Sequence, residues 1–173
     1  ILFAKWEPNT NTAYVVEHYQ QDVSTNEYIK YETEYKFGTT ESTADAVAKN
    51  YTGFTVNIGH ESSVASGTIA ADGTLVLKLY YDRDVFTVYF VENEGSSVSD
   101  LTGVRYGATV PAPTDPTRIG YSFNGWYKDS NLHNAWSFSD DVITDTTELY
   151  AKWSANSYTI TYVLNNGTND AGN

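Results

Sequence analysis

Apolar and polar residues alternate with a period of two over short stretches of this chain, and three such stretches open alike. Tyr14-Val15-Val16-Glu17-His18-Tyr19, Phe86-Thr87-Val88-Tyr89-Phe90-Val91 and Tyr158-Thr159-Ile160-Thr161-Tyr162-Val163 each read as a β-strand. Their first residues stand 72 positions apart in succession. A second motif recurs as Leu2-Phe3-Ala4-Lys5-Trp6 and Leu149-Tyr150-Ala151-Lys152-Trp153, with Leu79-Tyr80-Tyr81-Asp82-Arg83 as a looser relative, and each copy stands just ahead of an opening strand. Self-similarity at a fixed period is the signature of tandem modules. The pattern divides the chain into residues 1–6, the last strand of a preceding repeat; 7–83 and 84–153, two complete modules; and 154–173, the start of a following repeat. The connections, Glu7 to Asn11, Asp82 to Asp84 and Ser154 to Asn156, are so short that a fairly stiff string of beads is expected.

Within the first module the alternation predicts strands over 12–20, 27–37, 54–58 and 74–81, with a turn over Asp22 to Asn26. Asp72-Gly73 predicts a hairpin between Gly67-Thr68-Ile69-Ala70 and Leu75 to Leu79. Ser42 to Lys49 is the one helix expected: Ser42 or Thr43 can cap it and Asp45 falls in its first turn, though two turns depend on packing for stability. In the second module a turn at Glu92 to Ser96 leads into a loop through Pro111, Pro113 and Pro116. A strand follows whose rings, Tyr121, Phe123, Trp126 and Tyr127, supply a small core, then a loop at Asp129 to Asn134 and a closing strand from Glu148.

Composition narrows the function classes. Aromatic residues make up 15% of the chain, led by 15 Tyr, although mean hydropathy is only −0.43; large rings suit half-buried pleated surfaces. No apolar run reaches the roughly 18 residues a membrane span needs. Against 22 Asp+Glu there are 10 Lys+Arg, a net charge of −12, which repels nucleic acid and anionic lipid. The absence of Cys removes disulfides, thiolate catalysis and Cys-ligated metals. Met is absent too, even at position 1, and the expectation is a window within a longer polypeptide whose signal peptide or anchor lies outside it.

Catalytic chemistry has little to build on. His60-Glu61 begins a zinc-protease pattern, but Val64 occupies the place of the second ligand. His18 falls on an opening strand at the position of Phe90 and Tyr162 and is expected to be structural and half-buried; His133 is expected in an exposed loop. No nucleophile elbow or phosphate-cradling glycine loop occurs. The acids Asp140, Asp141, Asp145 and Glu148 lack the regular calcium-loop spacing and are expected to form a solvated loop. No cofactor or metal is therefore predicted. Trp126, Tyr127 and Trp136 are the candidate ligand-binding residues, as a platform on which a sugar ring could stack, set against their alternative use as core. Lys78 or Lys152 could form an isopeptide staple with an Asn if either points inward.

The residues Pro116-Thr117-Arg118-Ile119-Gly120-Tyr121-Ser122-Phe123-Asn124-Gly125-Trp126-Tyr127, then Leu132, Trp136-Ser137-Phe138 and Leu149 to Trp153, closely resemble the Listeria/Bacteroides repeat, the internalin B-repeat, over essentially all of 84–153. Such repeats usually carry an Asn-Gly-Gly type of turn after the first strand; Glu92-Asn93-Glu94-Gly95 replaces it here, which predicts a looser hairpin, while Asn165-Asn166-Gly167 keeps it. Tyr14 to Tyr19, Gly53-Phe54, Gly67-Thr68-Ile69 and Tyr80-Tyr81 resemble the mucin-binding-protein (MucBP) repeat. These resemblances imply a mainly β, α+β fold: small β-grasp or ubiquitin-like modules in tandem with at most one short helix each. They imply a non-enzymatic repeat region of a bacterial cell-surface protein, extracellular, acting as stalk or spacer and in adhesion to a host glycoprotein, mucin or polysaccharide. The alternative is a carbohydrate-binding accessory region of a secreted enzyme. The terminal strands, 2–6 and 158–164, are expected to pack on the adjacent modules or to pair head to tail with a neighbouring molecule.

Overall fold

The computed structural model describes residues 2–161, 163 and 167. Ten strands form two four-stranded sheets with no strand in common, plus a two-stranded ladder; no helix occurs among the described residues. In the first sheet, β1 (Thr12–Gln21) and β2 (Tyr28–Gly38) make an antiparallel hairpin, and β6 (Val76–Arg83) lies parallel to β1 on its other side, followed by β4 (Phe54–Val56). The order is β2-β1-β6-β4. The second sheet repeats it: β7 (Val85–Val91) pairs with β8 (Leu101–Arg105) and, in parallel, with β10 (Thr147–Ala155), which pairs with β9 (Tyr121–Tyr127), giving β8-β7-β10-β9. Both sheets thus place their first and last strands side by side in the centre, pointing the same way.

Alternation sends Val16 of β1 and Leu77 of β6 to one face, where Ile69 and Ala44 complete a small buried cluster. Its cover is not a helix. Thr43–Asp45 forms β3 and pairs with β5 (Ser66–Thr68), with Ala44 opposite Gly67, which corrects the expected helix over 42–49. Two turns of helix cannot offset their own nucleation cost, whereas extended backbone buries Ala44 and finds ladder partners. The Asp72-Gly73 turn forms: Gly73 has φ +72 and Asp72 accepts from the Thr74 amide. The segments it joins belong to different sheets, so the turn is a corner rather than the expected hairpin.

The second core is larger. Val88, Phe90, Val110, Trp126, Ile143, Leu149 and Ala151 are buried, with Phe86, Phe123, Trp136 and Trp153 packed around them. The turn after β7 is tied down rather than loose. Asn93 and Glu94 take φ +49 and +69, conformations that glycine would relieve, and the turn is held by Asn93 Nδ2 donating to the Ala151 carbonyl (2.7 Å) and Trp153 Nε1 donating to the Glu92 carbonyl (2.8 Å). Residues 2–6 and 158–161 are in no strand, and Leu2, Phe3, Trp6, Tyr158 and Ile160 are exposed, so these segments do not pack on the modules. Tyr162 and the Asn165-Asn166 turn lie outside the described residues.

Leu77 is fully buried at the centre of the small first core. Leu77→Ala is expected to destabilise that module by about 2–5 kcal/mol, read as an earlier denaturant transition, with the Trp fluorescence transition of the second module shifting less.

Candidate functional site

The residues singled out by sequence do not assemble a reactive centre. Trp126 faces inward, 3% exposed, with its ring edge-on to Phe90 (4.8 Å between centroids) and Phe123 (5.5 Å), and so offers no open face. Tyr127 and Trp136 stand nearby because the Trp136 amide donates to the Trp126 carbonyl (2.8 Å). Both are half-buried: Lys152 Nζ lies 4.6 Å from the centre of the Tyr127 ring and Lys128 Nζ 5.6 Å from that of Trp136. Lys78 likewise lies over Tyr19 at 6.0 Å, and Lys152 Nζ donates to the Leu132 carbonyl (3.3 Å). Asp140 accepts from the hydroxyls of Ser137 and Ser139, and Asp141 accepts from the Ser137 amide (2.8 Å) and pairs with Lys128 (2.6 Å). These hydrogen bonds hold both carboxyls below the usual carboxylate range and make them braces of a loop. His60 sits in a turn and stacks on Tyr80, 4.0 Å between centroids, with no second ligand beside it; among the described residues no group of three metal-binding side chains converges.

His18 is fully buried, beyond the half-burial expected. Its Nδ1 lies 2.9 Å from the Tyr81 hydroxyl, and its Nε2 lies 2.8 Å from Glu34 Oε1. The Tyr81 hydroxyl also accepts from the Lys49 amide (3.0 Å), so it bridges that amide and His18 Nδ1 while Glu34 takes the other ring nitrogen. Glu34 also takes Lys36 (2.9 Å) and Lys49 (3.5 Å), and Glu32 takes Lys49 (2.5 Å) and the Tyr51 hydroxyl (2.7 Å). The order Tyr, His, carboxylate resembles a proton relay, yet the imidazole is closed to solvent and both its nitrogens are occupied, so it works as a polar core. The His18 hydrogen bond, then Lys36, lowers the Glu34 carboxyl to about 2. None of these partners was legible in sequence, since Glu34 and Tyr81 lie 16 and 63 residues from His18.

The feature with the most specific geometry is the joint between the modules. Asp84 is the single residue between β6 and β7. Its amide donates to the Gly53 carbonyl (3.0 Å), its carbonyl accepts from the Tyr106 amide (2.8 Å), and its carboxylate accepts from the Thr55 hydroxyl (2.7 Å). Arg83, from the first module, donates from Nε to the Gln21 carbonyl (2.8 Å) and from Nη1 to the Tyr106 carbonyl (2.9 Å), with its guanidinium 4.7 Å from the centre of the Phe54 ring. Arg105, from the second, reaches back to the β1–β2 turn, donating to the Thr25 carbonyl (2.5 Å) and the Asn26 side chain. That turn is preset by Asp22, whose carboxyl accepts from the amides of Ser24 (2.8 Å) and Thr25 (2.9 Å) and is lowered to about 2 by them and by the Ser24 hydroxyl. Gly53, at φ +77, passes so close beneath the Tyr106 ring that a Cβ would overlap it.

The chain is mainly β, two sheets of like strand order joined through Asp84. Residues 86–152 match the family model of the Listeria-Bacteroides repeat domain. Over 171 residues, 97% of the chain, it is 32% identical to a Gly-rich membrane protein of Evansella cellulosilytica, of which it spans 19%. A second membrane protein of that organism is 40% identical over 101 residues, 58% of the chain and 15% of the relative. Internalin H of Listeria monocytogenes is 36% identical over 74 residues, 39% of the chain and 14% of internalin H. The chain therefore spans less than a fifth of each of these curated relatives, and it is related to a repeat found in surface and membrane proteins.

The depressed Glu34 carboxyl predicts an acid sensitivity. Because its folded value lies below the ordinary 4.5, its contribution to stability is complete above that range and is lost as pH falls from about 4.5 towards about 2. The urea midpoint of the first module should drop over this window, and Glu34→Gln should start lower and show a flatter profile; an equally steep acid loss in the variant would assign the sensitivity elsewhere.

Proposed function

We propose that the chain is a non-catalytic spacer segment of an extracellular bacterial cell-surface protein, holding an adhesive region out towards a host glycoprotein, mucin or polysaccharide. The observation that carries this reading is the joint. One connecting residue bonded on both sides, two arginines clasping in opposite directions, and a glycine that admits the Tyr106 ring all serve to fix the angle between modules. A binding module or an enzyme domain has no need of that, whereas a stalk does. Similarity to an internalin and to membrane proteins supports the location.

We further infer that each module is of the β-grasp type, with the helix of that fold replaced in the first module by the β3–β5 ladder, and that residues 7–83 are a MucBP-like repeat. The carbohydrate-binding alternative has less support, because of its three candidate rings Trp126 is buried and Tyr127 and Trp136 each have a lysine over one face.

Arg83→Ala with Arg105→Ala should free the joint while leaving both cores intact. In ¹⁵N relaxation the wild-type modules should tumble with one common correlation time and the double variant with two shorter ones, and small-angle scattering should show a broader distribution of maximum dimension. Separate tumbling in the wild-type chain would overturn the spacer reading.

A further inference from the structure

β2 is an eleven-residue strand at the edge of the first sheet and pairs with β1 alone. Which of its backbone groups are free follows from the neighbouring strands. The Val15 amide donates to the Leu75 carbonyl, so the peptide groups of Val15 face β6. Tyr35, opposite Val15, therefore sits in a non-hydrogen-bonded pair, and the N–H and C=O groups of Thr33, Tyr35 and Phe37 point away from the sheet. Two of these residues also present open rings, Tyr35 80% exposed and Phe37 62%, with Thr33 half-buried beside them. The protection of this edge rests on its charges, Lys30, Glu32, Glu34 and Lys36, and not on proline or a central bulge. The strand has no proline, Lys36 is turned to the inner face beside Glu34 (2.9 Å), and the one bulge, at Tyr31 opposite His18/Tyr19, lies outside the flat stretch 32–38.

Charge selects the occupant and its register. Consider two β2 strands pairing antiparallel about a two-fold axis. An axis at residue 32, 34 or 36 opposes a charge to its own copy, and an axis at Thr33 opposes Glu32 to Glu34 and Lys30 to Lys36. An axis at Tyr35 alone among residues 32 to 36 opposes Glu34 to Lys36, twice, while Tyr35 meets Tyr35 and Thr33 meets Phe37 on the exposed face. It also makes the outward-pointing residues 33, 35 and 37 the hydrogen-bonded pairs, as the backbone requires. We propose that β2 is a lateral self-association edge, through which a second copy of this chain extends the four-stranded sheet to eight strands about a two-fold axis at Tyr35. The pairing runs sideways to the module array and sets the two arrays in opposite directions, so it suits stalks that meet from facing surfaces, where tethering raises the effective concentration.

The test uses the full chain. Sedimentation velocity from micromolar to millimolar concentration should show a monomer–dimer equilibrium. Lys36→Glu, which opposes Glu to Glu34 on both sides, should weaken it about tenfold or more. Tyr35→Pro removes an outward N–H and the ring and should abolish it with the circular dichroism and melting of the monomer retained, whereas Lys36→Glu, which also loses the pair with Glu34, should keep the monomer's circular dichroism. Because the native chain has no Cys, Tyr35→Cys with a short bis-maleimide should give covalent dimers far in excess of Ser139→Cys in the second module. A wild-type chain that stays monomeric throughout, a dimer indifferent to both β2 variants, or equal cross-linking at the two positions would overturn the proposal.

Discussion

The parallel pairing of the first and last strands of each module governs the rest of this structure. Parallel neighbours cannot be joined by a tight turn and need a long crossover. Here the crossover carries the hairpin return, the β3–β5 ladder and the corner at Gly73 in the first module, and the proline loop and β9 in the second. The pairing also sets the path of the chain. If the strands β1 and β6 run the same way, the chain enters a module at one pole and leaves it at the other, so a successor is placed beyond its predecessor instead of beside it. An antiparallel first and last strand would double the array back on itself. Extension is thus a consequence of topology, and no linker is required to produce it.

What topology leaves open is the angle between successive modules, and the joint closes it. Exposed ion pairs are individually worth little, so a clasp of lysines and carboxylates would hold poorly. The joint relies instead on backbone donors and acceptors of Gly53, Asp84 and Tyr106, and on guanidinium groups, whose planar forks can meet carbonyls and a ring face together. Two of the chain's three arginines are spent there. With Asp84 bonded through its amide, carbonyl and side chain, the connection has little freedom left to absorb bending.

Sequence alternation was enough to find β1, β2 and β6, because apolar, aromatic and β-branched residues recur along each over eight residues or more. It failed where context outweighs local pattern. The alanines, Asp45 and caps of Ser42 to Lys49 suit a helix, but Ala44 pairs with Gly67, 23 residues away on another strand. Trp126 could be read as surface or core, and only the pairing of its residue with Ala151 decides which face it takes. The joint escaped notice because arginines 22 residues apart carry no motif, and the stack of His60, Tyr80 and Tyr19 because its members meet only through strand register and a loop.

The two modules fill the same frame with different chemistry, and register shows how. Leu79 opposes His18 in the first sheet as Leu149 opposes Phe90 in the second, so Tyr81 and Ala151 are equivalent, as are His18 and Phe90. In the second module Ala151 is small, and Trp126 from the adjacent strand fills the space and meets Phe90, giving an apolar centre. In the first, Val56 stands opposite Tyr81 where Trp126 stands opposite Ala151, and β4's one ring, Phe54, lies opposite Arg83 at the joint. The volume comes from Tyr81 itself, whose hydroxyl then needs a partner away from water. His18 is that partner, and its second nitrogen needs another, which is why Glu34 on the edge strand is drawn in and pairs with Lys36 and Lys49 at the rim. A single size difference on the closing strand thus accounts for a buried histidine and for a Glu34 carboxyl held far below its ordinary range.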